Sequence, residues 1–322
     1  MTVSPQRRPP GGRALRDSPG ACVAVLLMLA LLLAACDSST TEGASQRGIV
    51  SVVAAENEYG NVAAQIGGRY VQVSSVESNP NSDPHSYEVS PGVASKVASA
   101  GLVIQNGVGY DTFMNKIESA SSDSKRKVID VQQLLGLPDS TPNPHLWYSP
   151  RTMPAVAKAI GDDLAVLDSA HAASFRANVA KFDASLQPWF DAVAAFKARY
   201  EHTAAATTEP VADYLLEAMG IDNLTPFAFQ ADIMNGTDPT AQDVALENAY
   251  FSRQMVKVFV YNEQVVDSLT ASIRADAQRA GVPVVGVYET MPVPRYDYQS
   301  WMLAETNAIK DAVVNGTSTQ RL

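Results

Sequence analysis

Two of the four histidines in this 322-residue chain stand directly after a proline: His85 in "NPNSDPHSYE" and His145 in "TPNPHLWYSP". A neutral imidazole is a strong ligand for transition metals, and the preceding proline fixes its own φ at about −65° and withdraws a backbone donor. A ligand restrained in this way loses less freedom when an ion binds. Two acids extend the candidate set, Glu209 in "TAAATTEP" and Glu289 in "PVVGVYE", each at the end of a β-rich run. Two imidazoles and two carboxylates suit zinc in a four-coordinate site. They suit manganese when a carboxylate binds through both oxygens.

Something must bring together residues so far apart in the chain. Short β-rich runs occur at "IVSVVAAE", "YVQVSSVES", "LVIQNG" and "KVIDV", and again at "TAAATTEP", "DNLTPFAF", "VKVFVYNE" and "PVVGVYE". Helical patterns such as "PGVASKVASA" and "SLTASIRADAQRA" lie between them. Four strands alternating with helices in each half predict an α/β fold of two parallel-sheet lobes. Residues 150–200 keep helical spacing, and "SAHAASFRANVAKFDASLQPWFDAVAAFKARY" is interrupted only by Pro188. At about 1.5 Å per residue this piece can reach across both lobes as a rigid connecting helix.

In open parallel sheets, ligands gather beyond the carboxyl ends of the strands. His85 falls after the second strand, His145 after the fourth, Glu209 after the fifth and Glu289 at the end of the eighth. A cleft between the lobes would therefore collect all four. The other histidines are not expected to be ligands. His171 is expected to face solvent on the connecting helix, and His202 lies roughly 23 Å of extended chain before Glu209, at the opposite sheet edge.

The amino terminus carries Arg7, Arg8, Arg13 and Arg16 ahead of the apolar run "ACVAVLLMLALLLAAC". This is the pattern of a secretory leader, too short for a comfortable membrane span of roughly 20 residues. The polar stretch "DSSTTEGASQRG" that follows reads as a flexible tether. Cys22 and Cys36 are the only cysteines, so the domain beyond the tether contains no thiol and His, Asp and Glu are its only strong ligand types. The formal charge of −10 becomes −13 once a leader with four arginines and one aspartate is removed. An acidic surface argues against nucleic acid as a partner.

The tetrapeptide "LAAC" resembles the lipobox of bacterial lipoproteins, which implies lipidation of Cys36 and anchoring to the outer face of the cell membrane. "SNPNSDPHSYEVSPGVASKVASAGLVIQNGVGYDTFMNKI" and "NPHLWYSPRTMPAVAKAI" resemble the histidine motifs of the cluster A-I solute-binding proteins, the zinc and manganese receptors of bacterial ABC importers. The resemblance implies two α/β lobes joined by one long helix, with little hinge motion. It implies metal ligands at His85 and His145, and, through "EPVADYLLEAMG" with Tyr214 and Gly220, at Glu209. Glutamate at that position puts manganese slightly ahead of zinc as the transported ion. Glu289 in "YETMP" takes the place of the family's last ligand, an aspartate, one residue displaced and one methylene longer; Asp232 and Glu263 are its rivals. Glu56 and Glu58 follow the first strand at the cleft but are not ligands in the family.

The expected organisation is a lipoprotein signal peptide over 1–35, a tether over 36–48, an N-terminal lobe over 49–168, a connecting helix over 169–200 and a C-terminal lobe over 201–322. The expected function is that of a monomeric receptor handing Mn2+ or Zn2+ to an ABC importer permease with a cytoplasmic ATPase. Two other classes compete. A surface adhesin or scaffold would use the fold for protein contact. A secreted zinc hydrolase would keep a coordination position for water beside a general base, but the chain has no H-E-x-x-H helix, no Gly-x-Ser-x-Gly elbow and no Walker loop.

Overall fold

The computed structural model of the chain describes residues 48–84, 87 and 89–322. The leader, Cys36, nearly all of the tether and His85 lie outside the described residues.

Among the described residues eight strands form two sheets of identical plan. The first contains β1 (Val50–Glu56), β2 (Val71–Glu77), β3 (Leu102–Gln105) and β4 (Lys127–Asp130), in the order β2-β1-β3-β4. The second contains β5 (Thr203–Thr207), β6 (Ile221–Asn223), β7 (Val258–Asn262) and β8 (Val284–Val287), in the order β6-β5-β7-β8. Every pairing is parallel, with registers such as Val52↔Val73 in the first sheet and Val260↔Val285 in the second. Helices cover both faces of such sheets, so central strands read as continuous apolar runs. The fully buried "LVIQ" of β3, "VFVYN" of β7 and "VVGV" of β8 fit that rule.

Around the first sheet lie α1 (Asn57–Gly67), α2 (Pro91–Ser99), α3 (Thr112–Ala120) and α4 (Val131–Leu134). Then come α5 (Thr152–Leu167), α6 (Ala172–Ser185) and α7 (Gln187–Tyr200). The second half holds α8 (Asp213–Ala218), α9 (Phe227–Met234), α10 (Ala241–Ser252), α11 (Ser268–Arg279) and α12 (Tyr298–Asn315). Reciprocal capping boxes fix the starts of α11 and α12, with Asp267 and Thr270 in one and Asp297 and Ser300 in the other. Among the described residues no helix is long and apolar enough to cross a membrane.

Two local expectations need correction, and a third gains detail. The sixth β-rich run, "DNLTPFAF", is strand only as far as Asn223, because Pro226 caps α9 and Phe229 and Ile233 then bury one helical face. The connecting segment is helical as expected but divided into two helices that meet at Leu186, two residues before Pro188, whose ring crowds the carbonyl four residues back. His171 is half-buried, not free in solvent. It precedes α6, stacks on Tyr70 with ring centroids 3.8 Å apart and bonds Asp168 at 2.5 Å.

One apolar core runs through both lobes, from Val52 and Ile104 in the first sheet to Val260 and Val285 in the second. Aromatic side chains join the halves. Tyr148 lies edge-on to Trp301 at 5.6 Å and donates its hydroxyl to the Tyr288 carbonyl at 2.7 Å, while the Tyr298 hydroxyl donates to the Trp147 carbonyl at 2.6 Å. Edge-to-face pairs contribute about 0.5–1.5 kcal/mol each beyond their buried area. A wide hinge opening would expose these rings and break their bonds, so the geometry of the seam is firmly held.

Candidate metal centre

The order of each sheet reverses beside its first strand, and the loops leaving the carboxyl ends there open a crevice. Glu209 follows β5, Asn262 ends β7 and Glu289 follows β8, all on one side of the second sheet. Facing them from the first lobe are the turn after β3 and the loop that carries His145.

The "NPH" segment folds around Asn143. Its Oδ1 accepts the His145 backbone N–H at 3.0 Å and faces His145 Nδ1 at 2.8 Å, while its Nδ2 donates across the seam to the Pro210 carbonyl at 2.7 Å. Since the amide nitrogen is committed to Pro210, the oxygen must accept from the ring, and Nδ1 therefore carries the proton. The lone pair of Nε2 then points at the second lobe. It meets Glu289 Oε2 at 3.1 Å, with both side chains fully buried. A lone pair and a carboxylate oxygen repel at that distance unless a cation lies between them: a proton or a metal ion. Two ligands about 2.0–2.1 Å from one tetrahedral ion lie roughly 3.3 Å apart, so the observed pair is close to the spacing an ion requires.

Glu209 joins the pair through one amide group. Asn262 Nδ2 donates to Glu209 Oε1 at 3.0 Å and to Glu289 Oε1 at 2.8 Å, so the two carboxylates share a donor. Gln264 positions the Glu289 segment: its Oε1 accepts the backbone N–H groups of Glu289 and Thr290, each at 2.7 Å. Its Nε2 donates to the Ser82 carbonyl at 2.7 Å, tying the described part of the "NSDPH" loop to the second lobe. Among the described residues no three His, Cys, Asp or Glu side chains are arranged to hold an ion by themselves. The remaining expected ligand, His85, lies outside the described residues.

The turn "NGVGYD" supplies a further contact. Asp111 accepts the N–H groups of Asn106 at 2.6 Å and Gly107 at 3.0 Å, and burial still raises its carboxyl to about 6. The turn needs positive φ at Gly107, Val108 and Gly109 (78°, 53° and 79°), a conformation that strains a β-branched residue such as Val108. It delivers Tyr110, whose hydroxyl donates to Glu289 Oε2 at 2.9 Å. Burial, and then Glu289 itself, hold the Tyr110 pKa well above its ordinary value, so the phenol remains a donor. Tyr110 and Trp147 both stand edge-on to the His145 ring, at 5.8 and 5.4 Å, and keep water from it.

The rivals for the last ligand are engaged elsewhere. Glu263 pairs with Arg274 at 3.5 Å and Arg321 at 3.4 Å, and Asp232 lies on α9, where Thr237 bonds it at 3.3 Å. His202 is exposed and lies 3.3 Å from Asp222. Glu56 and Glu58 are buried. Burial, first, and then neighbouring acids push both well above the carboxylate range. Among the residues that the sequence reading did not single out are Tyr110, Asn143 and the two that flank Glu263, Asn262 and Gln264. Strand alternation was the available signal: if Glu263 faces one way, residues 262 and 264 face the other.

The profile of the family described as ZnuA, zinc-uptake complex component A periplasmic, matches residues 52–312. The chain belongs to this family. Among relatives of this ZnuA-family chain, the Bacillus subtilis protein named manganese-binding lipoprotein MntA is 28% identical over 174 residues, 51% of this chain and 55% of that protein. The Treponema pallidum protein named zinc-binding protein TroA is 29% identical over 93 residues, 27% of this chain and 30% of that protein. The chain thus spans about half the length, or less, of these relatives. A solved Mn-bound periplasmic metal binding protein from Candidatus Liberibacter asiaticus superposes with a TM-score of 0.66 at 20% identity, covering 82% of this chain and 99% of that one. That likeness establishes the shared two-lobed fold.

Proposed function

We propose that the chain is an extracytoplasmic receptor that captures one divalent transition metal ion, Mn2+ or Zn2+, between its lobes and delivers it to the permease of an ABC importer with a cytoplasmic ATPase. The observation that carries this reading is the buried junction of His145 Nε2 with Glu289 Oε2 at 3.1 Å, one residue from each lobe. The ligand set is His85, His145, Glu209 and Glu289. Membership of an uptake-complex family supports the reading, as do relatives named for manganese and for zinc. Four protein ligands would close the coordination shell. A closed shell captures an ion without leaving a position for hydrolytic water. A lipid on Cys36 and the tether after it would hold a monomeric receptor near the permease.

Calorimetric titration of protein lacking residues 1–36 with Zn2+ and with Mn2+ tests this. One ion should bind per chain, and His85→Ala and His145→Ala should each weaken binding by at least about 100-fold. Two variants that bind like the parent would exclude the site; turnover of a hydrolysable substrate by the zinc-loaded protein would make it an enzyme.

A further inference from the structure

Asn262 lies where it can decide which ion the site prefers. The residue is 1% exposed, and its backbone N–H and both side-chain polar atoms are committed. The backbone N–H donates to Thr208 Oγ1 at 3.0 Å, and Oδ1 accepts the Gln264 N–H at 3.0 Å, which fixes the amide's orientation. Both Nδ2 hydrogens are thereby turned to the acids, one to Glu209 Oε1 at 3.0 Å and the other to Glu289 Oε1 at 2.8 Å. In Glu289 it is the other oxygen, Oε2, that faces His145 Nε2.

We infer that Asn262 is a positioning residue that restricts Glu209 and Glu289 to one metal-facing oxygen each, and so makes the centre select a four-coordinate ion, zinc, over manganese. This rests on the receptor reading above and concerns the same four ligands. Two imidazole nitrogens and two single carboxylate oxygens make a shell of four, which zinc accepts without strain. Manganese favours higher coordination and would need a carboxylate to bind through both oxygens. Oε1 would then have to be shared between the ion and an amide hydrogen that cannot turn away, because Oδ1 and the backbone of Asn262 are held by Gln264 and Thr208. Zinc binds nitrogen and oxygen sites more tightly than manganese in any case. The signature of Asn262 is therefore the size of the gap and the coordination number, not the order of affinities.

The test uses Co2+ as a spectroscopic stand-in for zinc, with competition titrations of Zn2+ against Mn2+, on the parent protein and on Asn262→Ala. The parent should bind one Co2+ with the intense visible ligand-field band of a four-coordinate ion. In Asn262→Ala that band should weaken toward the five- or six-coordinate form, and the zinc-to-manganese affinity ratio should fall by about tenfold or more. An unchanged band and ratio in the variant would overturn the inference. So would a six-coordinate spectrum from the parent, which decides the matter even if Asn262→Ala does not fold. A parent that binds none of the three metals would remove the receptor reading as well, whereas one six-coordinate ion per chain would remove only the role of Asn262.

Discussion

His145 Nε2 and Glu289 Oε2 lie 3.1 Å apart although 144 positions separate the two residues in the chain, and neither side chain is exposed to solvent. The junction needs both sheets, the seam between them and the Asn143 amide that turns the ring. A cation between the two atoms would relieve their repulsion, so under the proposed function metal and proton compete for the junction.

Competition gives the first expectation. Metal binding requires neutral imidazoles, and the ordinary histidine pKa is about 6.5. Affinity should be level above about pH 7 and fall steadily as the pH drops below about 6.5. Titrations between pH 5 and 8 measure this; a flat profile would mean that the histidines do not ligate.

Asn143 should act through His145. Replacing it with alanine removes the acceptor for Nδ1–H and the bond to Pro210, and second-layer partners of this kind typically change metal affinity by about 10- to 100-fold. Asn143→Ala should therefore bind more weakly than the parent with unchanged stoichiometry. Equal affinity would detach the ring's orientation from its function.

Glu289 and Glu263 provide a paired comparison. Glu289→Gln should lose about tenfold or more in metal affinity, whereas Glu263→Gln, whose partners are Arg274 and Arg321, should bind as the parent does. The reverse pattern would exchange their roles.

Much of this arrangement is legible in the sequence. Parallel strands buried on both faces leave unbroken apolar runs, so β3, β7 and β8 stand out most clearly, and strand-end placement picks out His145, Glu209 and Glu289, which the structure brings around Asn262 and one another. The misses have local causes. The sixth run is apolar enough for either a strand or a helix, and only Pro226 and the spacing of Phe229 and Ile233 separate the two. In "YNEQ" the charged residue draws attention, yet its neutral neighbours Asn262 and Gln264 face the site. Amides carry no charge signal, and their importance lies in committed hydrogen bonds that only the tertiary structure creates.

Two buried acids away from the junction make stability depend on pH. Burial raises Glu305 to about 8 even though Trp301 Nε1 donates to it at 2.8 Å, and raises Glu247 to about 8 beside the Thr225 hydroxyl. Between their ordinary value of 4.5 and about 8 the folded protein keeps protons that the unfolded chain releases. Their contribution to stability is therefore fully present below about pH 4.5 and is lost as the pH rises through about 8. Glu305→Gln should flatten the fall in unfolding temperature between pH 6 and 8.5 and stabilise the protein by about 2 kcal/mol at the upper end. A variant less stable than the parent at pH 8.5 would show that the carboxylate is needed in its charged form.

Anomalous diffraction at the metal edge, from crystals of protein loaded with one equivalent of Zn2+ or Mn2+, bears most directly on the seam as a metal centre. A single strong peak is expected between the lobes, within about 2.0–2.2 Å of His145 Nε2 and of Glu289, with His85 and Glu209 completing the shell. A peak elsewhere on the molecule, or a fully loaded crystal with none between His145 and Glu289, would contradict it.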